Sequence, residues 1–276
     1  LKLLRGLFHQ AAIALETAVL LDERARQAEL EREMEIAAAI QSSLLPASLH
    51  LGDGWEVAAV CRPARQVGGD FYAELPGPLP ATRAVVYGDV SGKSVSGALM
   101  MMAAKEALHS LASVHSDPEL LFHQANGRLY ELGNRSFVAL GYFACSEAAD
   151  RLGYVIAGQP QPLKRCVDGS IEELPLAEHR LPLGAMIQDG YRCLETSLFP
   201  GEIIVAYSDG VSEAQSQGGE TFGSERIADV LRSGGSDPQD VLERLLRELD
   251  TFSGGSVPYD DVTLLVIGRR KESSDA

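Results

Sequence analysis

Four short segments hold the residues best suited to chemistry: Val67-Gly68-Gly69-Asp70, Tyr87-Gly88-Asp89-Val90-Ser91-Gly92-Lys93, Tyr207-Ser208-Asp209-Gly210 and Tyr259-Asp260-Asp261-Val262-Thr263. Each reads as an apolar strand that delivers an aspartate into a turn. A single Asp-Gly after a strand is ordinarily only a turn. Four in one chain predict carboxylates that converge. Two such charges about 5 Å apart repel by about 3 kcal/mol at an effective dielectric of about 20, so a fully ionised cluster calls for bound cations. An all-oxygen donor set without His or Cys selects hard ions such as Mg²⁺ or Mn²⁺, and the glycines allow backbone carbonyls and waters to come close. Two such ions about 3.5–4 Å apart suit phosphoester hydrolysis by an activated water. No protein nucleophile is evident: there is no G-x-S-x-G and no cysteine in a phosphate loop. Arg62 and Arg65, just before Asp70, are candidates to meet a substrate phosphate.

The elements that must position these aspartates are short β-branched or alternating runs bounded by Gly, Pro and Asp: WEVAAVC, TRAVVYGDV, SFVALGYFACS, RLGYVIAG, EIIVAYSDG and DVTLLVIG. Helical patterns fall near 95–115, 118–133, 224–233 and 238–252, two of them opened by Asp117-Pro118 and Asp237-Pro238, an N-cap followed by proline in the first turn. Strands cluster around 136–174 without intervening helices, which favours an α+β layered domain over a doubly wound parallel sheet. Residues 1 to about 45 read as one long helix without proline, ended by Pro46. Leu30, Met34, Ala37 and Leu44 form a seam of heptad character that Gln41 weakens. The densely charged stretch 22–35 suits either an amphipathic helix docked on its own domain or a parallel two-helix linker. The domain expectation is therefore a helical linker over 1–45, a catalytic domain over 46–270 and a fraying tail over 271–276.

Composition limits the partners. Lys and Arg number 24 against 39 Asp and Glu, a net charge of −15, which argues against nucleic-acid or anionic-membrane binding. Hydrophobic content of 45% is ordinary for a globular chain. The most apolar stretch, Ala11 to Leu21, is interrupted by Glu16 and Thr17, so no spanning helix is expected. Cys61, Cys145, Cys166 and Cys193 form no C-x-x-C pair and read as buried free thiols of a reducing compartment. His109, His115 and His123 read as surface or cap residues of helices, and Met100, Met101 and Met102 as core filler.

Taken in order, GGDFY, GDVSGK, AGQPQPL, SDGVSEA, FG and DDVT resemble the metal-dependent PPM-type Ser/Thr phosphatases, in particular the bacterial SpoIIE/RsbU-like branch. The segment EMEIAAAIQSSLLP resembles the helix preceding that branch's catalytic domain, and LFHQAAIALETAVLLDE resembles the closing helix of a GAF sensor. The resemblance implies a four-layer α-β-β-α sandwich of two antiparallel sheets, with two Mn²⁺ or Mg²⁺ in a cleft at one end. By motif position Asp89 would bridge the metals, Val90 would offer its carbonyl, Asp70 would act mainly through water, and Asp209 and Asp260 would hold the other ion. Asp261 and Gly69 would stand behind these ligands. The implied reaction is hydrolysis of phosphoserine or phosphothreonine by a hydroxide bridging the metals. The implied substrate is a phosphorylated STAS-domain anti-sigma-factor antagonist in a cytoplasmic partner-switching pathway, and the implied assembly a homodimer through the N-terminal helix. Three positions depart from the common pattern: Ala73 where relatives carry Asp, Ser94 for Gly, and Gln159 for His, the last predicting an altered substrate cleft.

Other readings are weaker. GGDF resembles the GGDEF motif of diguanylate cyclases, but Phe71 and Tyr72 follow where an acid is needed. SGKS at 91–94 fails the P-loop spacing, since Tyr87 stands where its first glycine belongs. The rival from another class is a latent or non-catalytic signalling module that binds a phosphoprotein and dimerises through its helix. In either case the linker helix is expected to set competence by packing, for instance against the helix after Gly92.

Overall fold

A computed structural model describes residues 2–80, 82–92, 95–132, 136–146, 150–187, 190–255 and 258–270. Lys93, Ser94 and the tail over 271–276 lie outside the described residues. The chain divides into two compact units, Leu1–Leu44 and Leu45–Ala276. The first is a single helix, α1 (Lys2–Leu44). It is rich in Ala, Leu, Glu and Arg, whose side chains lose little freedom in a helix, and it exposes large apolar residues along its length, among them Phe8, Leu15, Leu21 and Leu30. No helix among the described residues is long and apolar enough to cross a membrane.

The second unit holds two five-stranded antiparallel sheets. One has the order β1 (Trp55–Arg62), β10 (Val262–Arg269), β9 (Ile203–Tyr207), β6 (Leu163–Arg165), β7 (Ile171–Glu173). The other runs β2 (Phe71–Pro76), β3 (Arg83–Val90), β4 (Val138–Cys145), β5 (Arg151–Ala157), β8 (Leu194–Ser197). Their central strands are apolar on both faces, and the two-residue period of a strand sorts the side chains into separate layers. On β3, Ala84 and Val86 face α2 (Val95–Ala112) and α3 (Pro118–Glu131), joining Met101, Leu108, Phe122 and Leu129. Val85 and Tyr87 face the other way and meet Ile204, Ala206, Leu265 and Ile267 from the opposite sheet. On β9 and β10, Ile203, Val205, Leu264 and Val266 take the outer layer, against α5 (Gly223–Arg232) and α6 (Pro238–Ser253). The result is the expected four-layer α-β-β-α sandwich.

Local signals explain the helix boundaries. Asp117 and Asp237 accept N–H bonds from Glu119 and Asp240 at 3.0 Å each, and Pro118 and Pro238 fill first-turn positions where no N–H is needed. Helix α6 closes on Gly254 in the left-handed region. Its Val241, Leu242, Leu245, Leu246 and Leu249 recur at helical spacing and are all buried.

Between the sheets' rims, Lys164 and Glu202 form a buried ion pair at 2.9 Å. Lys164 also donates to the Ser197 carbonyl, and Glu202 accepts from the Phe199 N–H. Removing one partner strands the other charge. Glu202→Ala is expected to cost about 3–5 kcal/mol, read as a lowered denaturation midpoint, whereas the double replacement Lys164→Met with Glu202→Leu costs far less.

Candidate active site

The four aspartate segments meet because the sheets are antiparallel. Asp89 lies in β3 and Asp209 opens the short helix α4 (Asp209–Ser212) directly after β9. Asp70 and Asp260 instead precede β2 and β10. The expectation that every aspartate ends a strand thus holds for two segments and reverses for the other two. Pairing removes the difference. Phe71 lies opposite Gly88, Leu264 opposite Tyr207, and Val262 opposite Arg62, so the start of each late strand abuts the end of its neighbour. Asp89, Asp209, Asp260 and Asp261 line one cavity of about 170 Å³ with Arg65, Gly68, Gly69 and Val90.

Asp261 organises this cavity. Its carboxylate accepts backbone N–H bonds from Ala64 (2.8 Å), Gly69 (2.7 Å) and Asp70 (3.3 Å). These bonds fix the loop between β1 and β2, which has no ladder partners of its own. Ser208 completes the frame: its hydroxyl donates to Asp70 Oδ2 at 2.9 Å and accepts the Thr263 N–H at 3.0 Å. The glycines are required by close approach. A Cβ on Gly69 would stand 2.5 Å from the Val90 carbonyl oxygen, and one on Gly68 would collide with the Asp261 carboxylate. A Cβ on Gly210 would strike the Asp261 carbonyl, and one on Gly97, in the first turn of α2, the Gly92 carbonyl. These contacts seat α4 and α2 directly on the aspartate loops.

The electrostatics are those of a crowded acidic site. Asp70, 3% exposed, has a carboxyl pushed well above the usual range, first by burial and then by Asp89. Asp89 is raised to about 6, by burial first and then by Asp209. The Cys61 thiol, which donates to the Asp70 carbonyl at 3.5 Å, is pushed up to about 12 by its own burial and then by Asp70. Folding thus holds these carboxyls where full ionisation is opposed, and a divalent cation is the group that relieves such opposition. The donor set fits a hard ion: carboxylates line a cavity pared down by glycine, with Val90 in its wall and the Val90 carbonyl oxygen close beside Gly69. Among the described residues no group of three or more His, Cys, Asp or Glu side chains is gathered tightly enough to hold a metal by itself.

The remaining candidates separate. Arg65 lines the acidic cavity. Arg62 is turned away and contacts both oxygens of Asp250 at 3.1 Å. Gln159 corrects an expectation. It does not line the cavity but is buried, donating to the Ala139 carbonyl at 2.9 Å, and Ala139 is the register partner of Asp89. It braces the strand behind Asp89 rather than the cleft in front. Ala73 is also core, 1% exposed. Among the methionines only Met101 is fully buried, while Met102 is exposed. Of the free cysteines only Cys145 is buried, and Cys61, Cys166 and Cys193 are half-buried. His109 and His123 are exposed and His115 is half-buried. Ser208 was not singled out from the sequence. Its one signal is its place between an apolar strand and Asp209, where a hydroxyl can serve as both donor and acceptor.

Comparison with known proteins agrees with this architecture. The profile of the Stage II sporulation protein E (SpoIIE) family matches residues 80–270. The chain is 28% identical over 272 residues to Protein IcfG of Synechocystis sp., covering 86% of this chain and 41% of that protein. It thus spans well under half the length of that relative. It is 26% identical over 249 residues to Phosphoserine phosphatase RsbU of Bacillus subtilis, covering 90% of this chain and 73% of that protein. The SiaA-PP2C domain of Pseudomonas aeruginosa superposes with a TM-score of 0.74 at 26% identity, over 90% of this chain and 99% of that domain. With the SpoIIE profile over most of the catalytic unit and its aspartate-lined cleft between antiparallel strand ends, the chain belongs to the SpoIIE family, the RsbU-like branch of the PPM-type phosphatases.

Proposed function

We propose that this chain hydrolyses phosphoserine or phosphothreonine in a protein substrate, using two Mn²⁺ or Mg²⁺ ions held by Asp70, Asp89, the Val90 carbonyl, Asp209 and Asp260. The observation that carries the reading is the single cavity in which Asp89, Asp209, Asp260 and Arg65 face one another. Cations bound there would supply a nucleophilic water near neutral pH and would neutralise the phosphoryl oxygens. The protein's own part is positional. Asp261 and Ser208 hold the Gly68-Gly69-Asp70 loop against β3 and β9, Asp89 and Asp209 present their carboxylates from opposite sheets, and Arg65 offers the phosphate a guanidinium.

RsbU, named a phosphoserine phosphatase, supports the substrate class. A phosphorylated STAS-domain regulator and partner-switching control are the finer reading, made by analogy with that branch. Helix α1 carries exposed apolar residues seven apart, Phe8 with Leu15 and Ile13 with Leu20, which supports a parallel homodimer through this helix; a GAF-like sensor before it is read by resemblance alone. We read the linker as 1–45 and the catalytic domain as 46–270, in line with the division into two compact units, and the protein as cytoplasmic by analogy with that branch.

A second reading, a latent signalling module, has one observation in its favour: the carboxylates do not gather into a ready-made set of three side-chain ligands. Calorimetric titration with Mn²⁺, run beside hydrolysis of a phosphoserine peptide, separates the two. Binding with turnover is expected. Binding without turnover would favour latency, and neither would contradict the metal site.

A further inference from the structure

A second groove of about 640 Å³ adjoins the acidic cavity and shares Ala64, Arg65 and Tyr259 with it. Its floor is apolar: Leu249 at the end of α6 and Val262 at the start of β10, both buried, with the half-buried Ala214 beside them. Gln215, Ser216 and Ser253 add uncharged polar groups. Its charged pair, Arg62 and Asp250, is closed on itself, with Arg62 Nη1 3.1 Å from both carboxylate oxygens. Tyr259 and Pro258 stand exposed at the rim. The volume suits a short stretch of polypeptide, in the range of pockets that take drug-sized ligands.

We propose that this groove receives the residues flanking the phosphorylated serine or threonine of a protein substrate, and that it selects an uncharged, apolar flank. The inference rests on the phosphatase reading above and adds to it the part of the substrate that is recognised. Three observations carry it. The groove is continuous with the acidic cavity, so a chain whose phosphate sits beside Arg65 passes Tyr259 directly into it. Apart from Arg65, whose guanidinium is given to the phosphate, the self-paired Arg62 and Asp250 add no net charge to select a charged flank. Over the buried floor of Leu249 and Val262, the exposed Tyr259 and Pro258 and the half-buried Ala214 offer apolar surface that an aliphatic side chain would cover. In a chain of net charge −15, a groove whose lining holds Arg62 and Arg65 against Asp250 alone differs from the acidic remainder.

The test uses the full chain with Mn²⁺ and two probes. One is p-nitrophenyl phosphate, which needs only the acidic cavity. The other is a set of phosphoserine peptides with apolar, acidic or basic flanks. The parent is expected to favour the apolar-flanked peptide. Ser253→Trp and Gln215→Trp, which fill the groove from partly exposed and exposed positions, are expected to lower kcat/KM for that peptide about tenfold, mainly through KM. Hydrolysis of p-nitrophenyl phosphate stays within about twofold of the parent. A parent with no preference among the flanks, or variants that change both probes equally or neither, would overturn the groove assignment while leaving the phosphatase standing. Absence of turnover on every probe by the metal-loaded parent would instead overturn the phosphatase reading, and the groove assignment with it. Thermal melts matching the parent's identify the variants as folded, and the two tryptophans enter from different elements, so one misfolded variant does not remove the test.

Discussion

Asp89→Asn is expected to abolish metal-dependent hydrolysis while making the metal-free protein more stable. Activity falls by about a thousandfold or more, equivalent to about 4 kcal/mol of lost transition-state stabilisation, because the substitution removes the carboxylate that faces Asp209, Asp260 and Asp70 at once. The opposite sign for stability follows from the same geometry. Asp89 is held up to about 6 by burial and then by Asp209, so its ionised form is disfavoured in the fold, and a neutral amide removes that repulsion. Relief of about 1 kcal/mol raises the Tm of a domain this size by about 2–4 °C. Melts in chelator and assays in Mn²⁺ on the same preparation check both halves. A variant that loses activity and stability together would show a framework role instead. The trade is the one expected where function keeps like charges close.

Asp261 behaves in the opposite way. Asp261→Ala is expected to lower stability and activity together, because it leaves the N–H groups of Ala64, Gly69 and Asp70 without an acceptor in a buried loop. Each stranded donor costs about 1–3 kcal/mol where water cannot reach it. Asp261→Asn does not rescue the site. One carboxylate oxygen serves Ala64 and the other serves Gly69 and Asp70, so an amide must aim its NH₂ at one of these donors. The expected outcome for both variants is a Tm several degrees below the parent in chelator, and turnover reduced even at saturating Mn²⁺. Asp261→Asn with the parent's Tm would contradict the role assigned here. Because Asp89→Asn and Asp261→Asn make the same chemical change in one cavity, their opposite stability effects separate a functional carboxylate from a structural one.

The layered fold was legible in the sequence because its central strands are long and apolar. TRAVVYGDV, EIIVAYSDG and DVTLLVIG can bury both faces only between helices and a second sheet, and the Asp-Pro pairs mark two helix starts through capping chemistry. Strand β2 was missed although Phe71, Ala73 and Leu75 alternate cleanly with Tyr72, Glu74 and Pro76, because the GGDFY stretch read as a turn delivering an aspartate. Strands β6, β7 and β8 have only three or four residues. Runs that short have no readable period, and tertiary pairing supplies what the local pattern lacks. The aspartates were legible as a set, but their directions were not. Whether Asp70 ends one strand or begins the next depends on the loop that Asp261 pins from 191 residues away in sequence. Gln159 was misplaced for a related reason. Sequence order puts it beside the motif, while the β4–β5 register puts it behind Asp89.

The most direct test of the central claim is hydrolysis of p-nitrophenyl phosphate by the full chain, stripped of metal and titrated with Mn²⁺, beside Asp89→Asn and Asp209→Asn. No turnover is expected without metal, with a saturable rise on adding Mn²⁺ and loss of that rise in both variants. Turnover that persists in chelator, or a Mn²⁺ response retained when Asp89 and Asp209 are each replaced, would contradict the assignment of the aspartate cavity as the catalytic metal site.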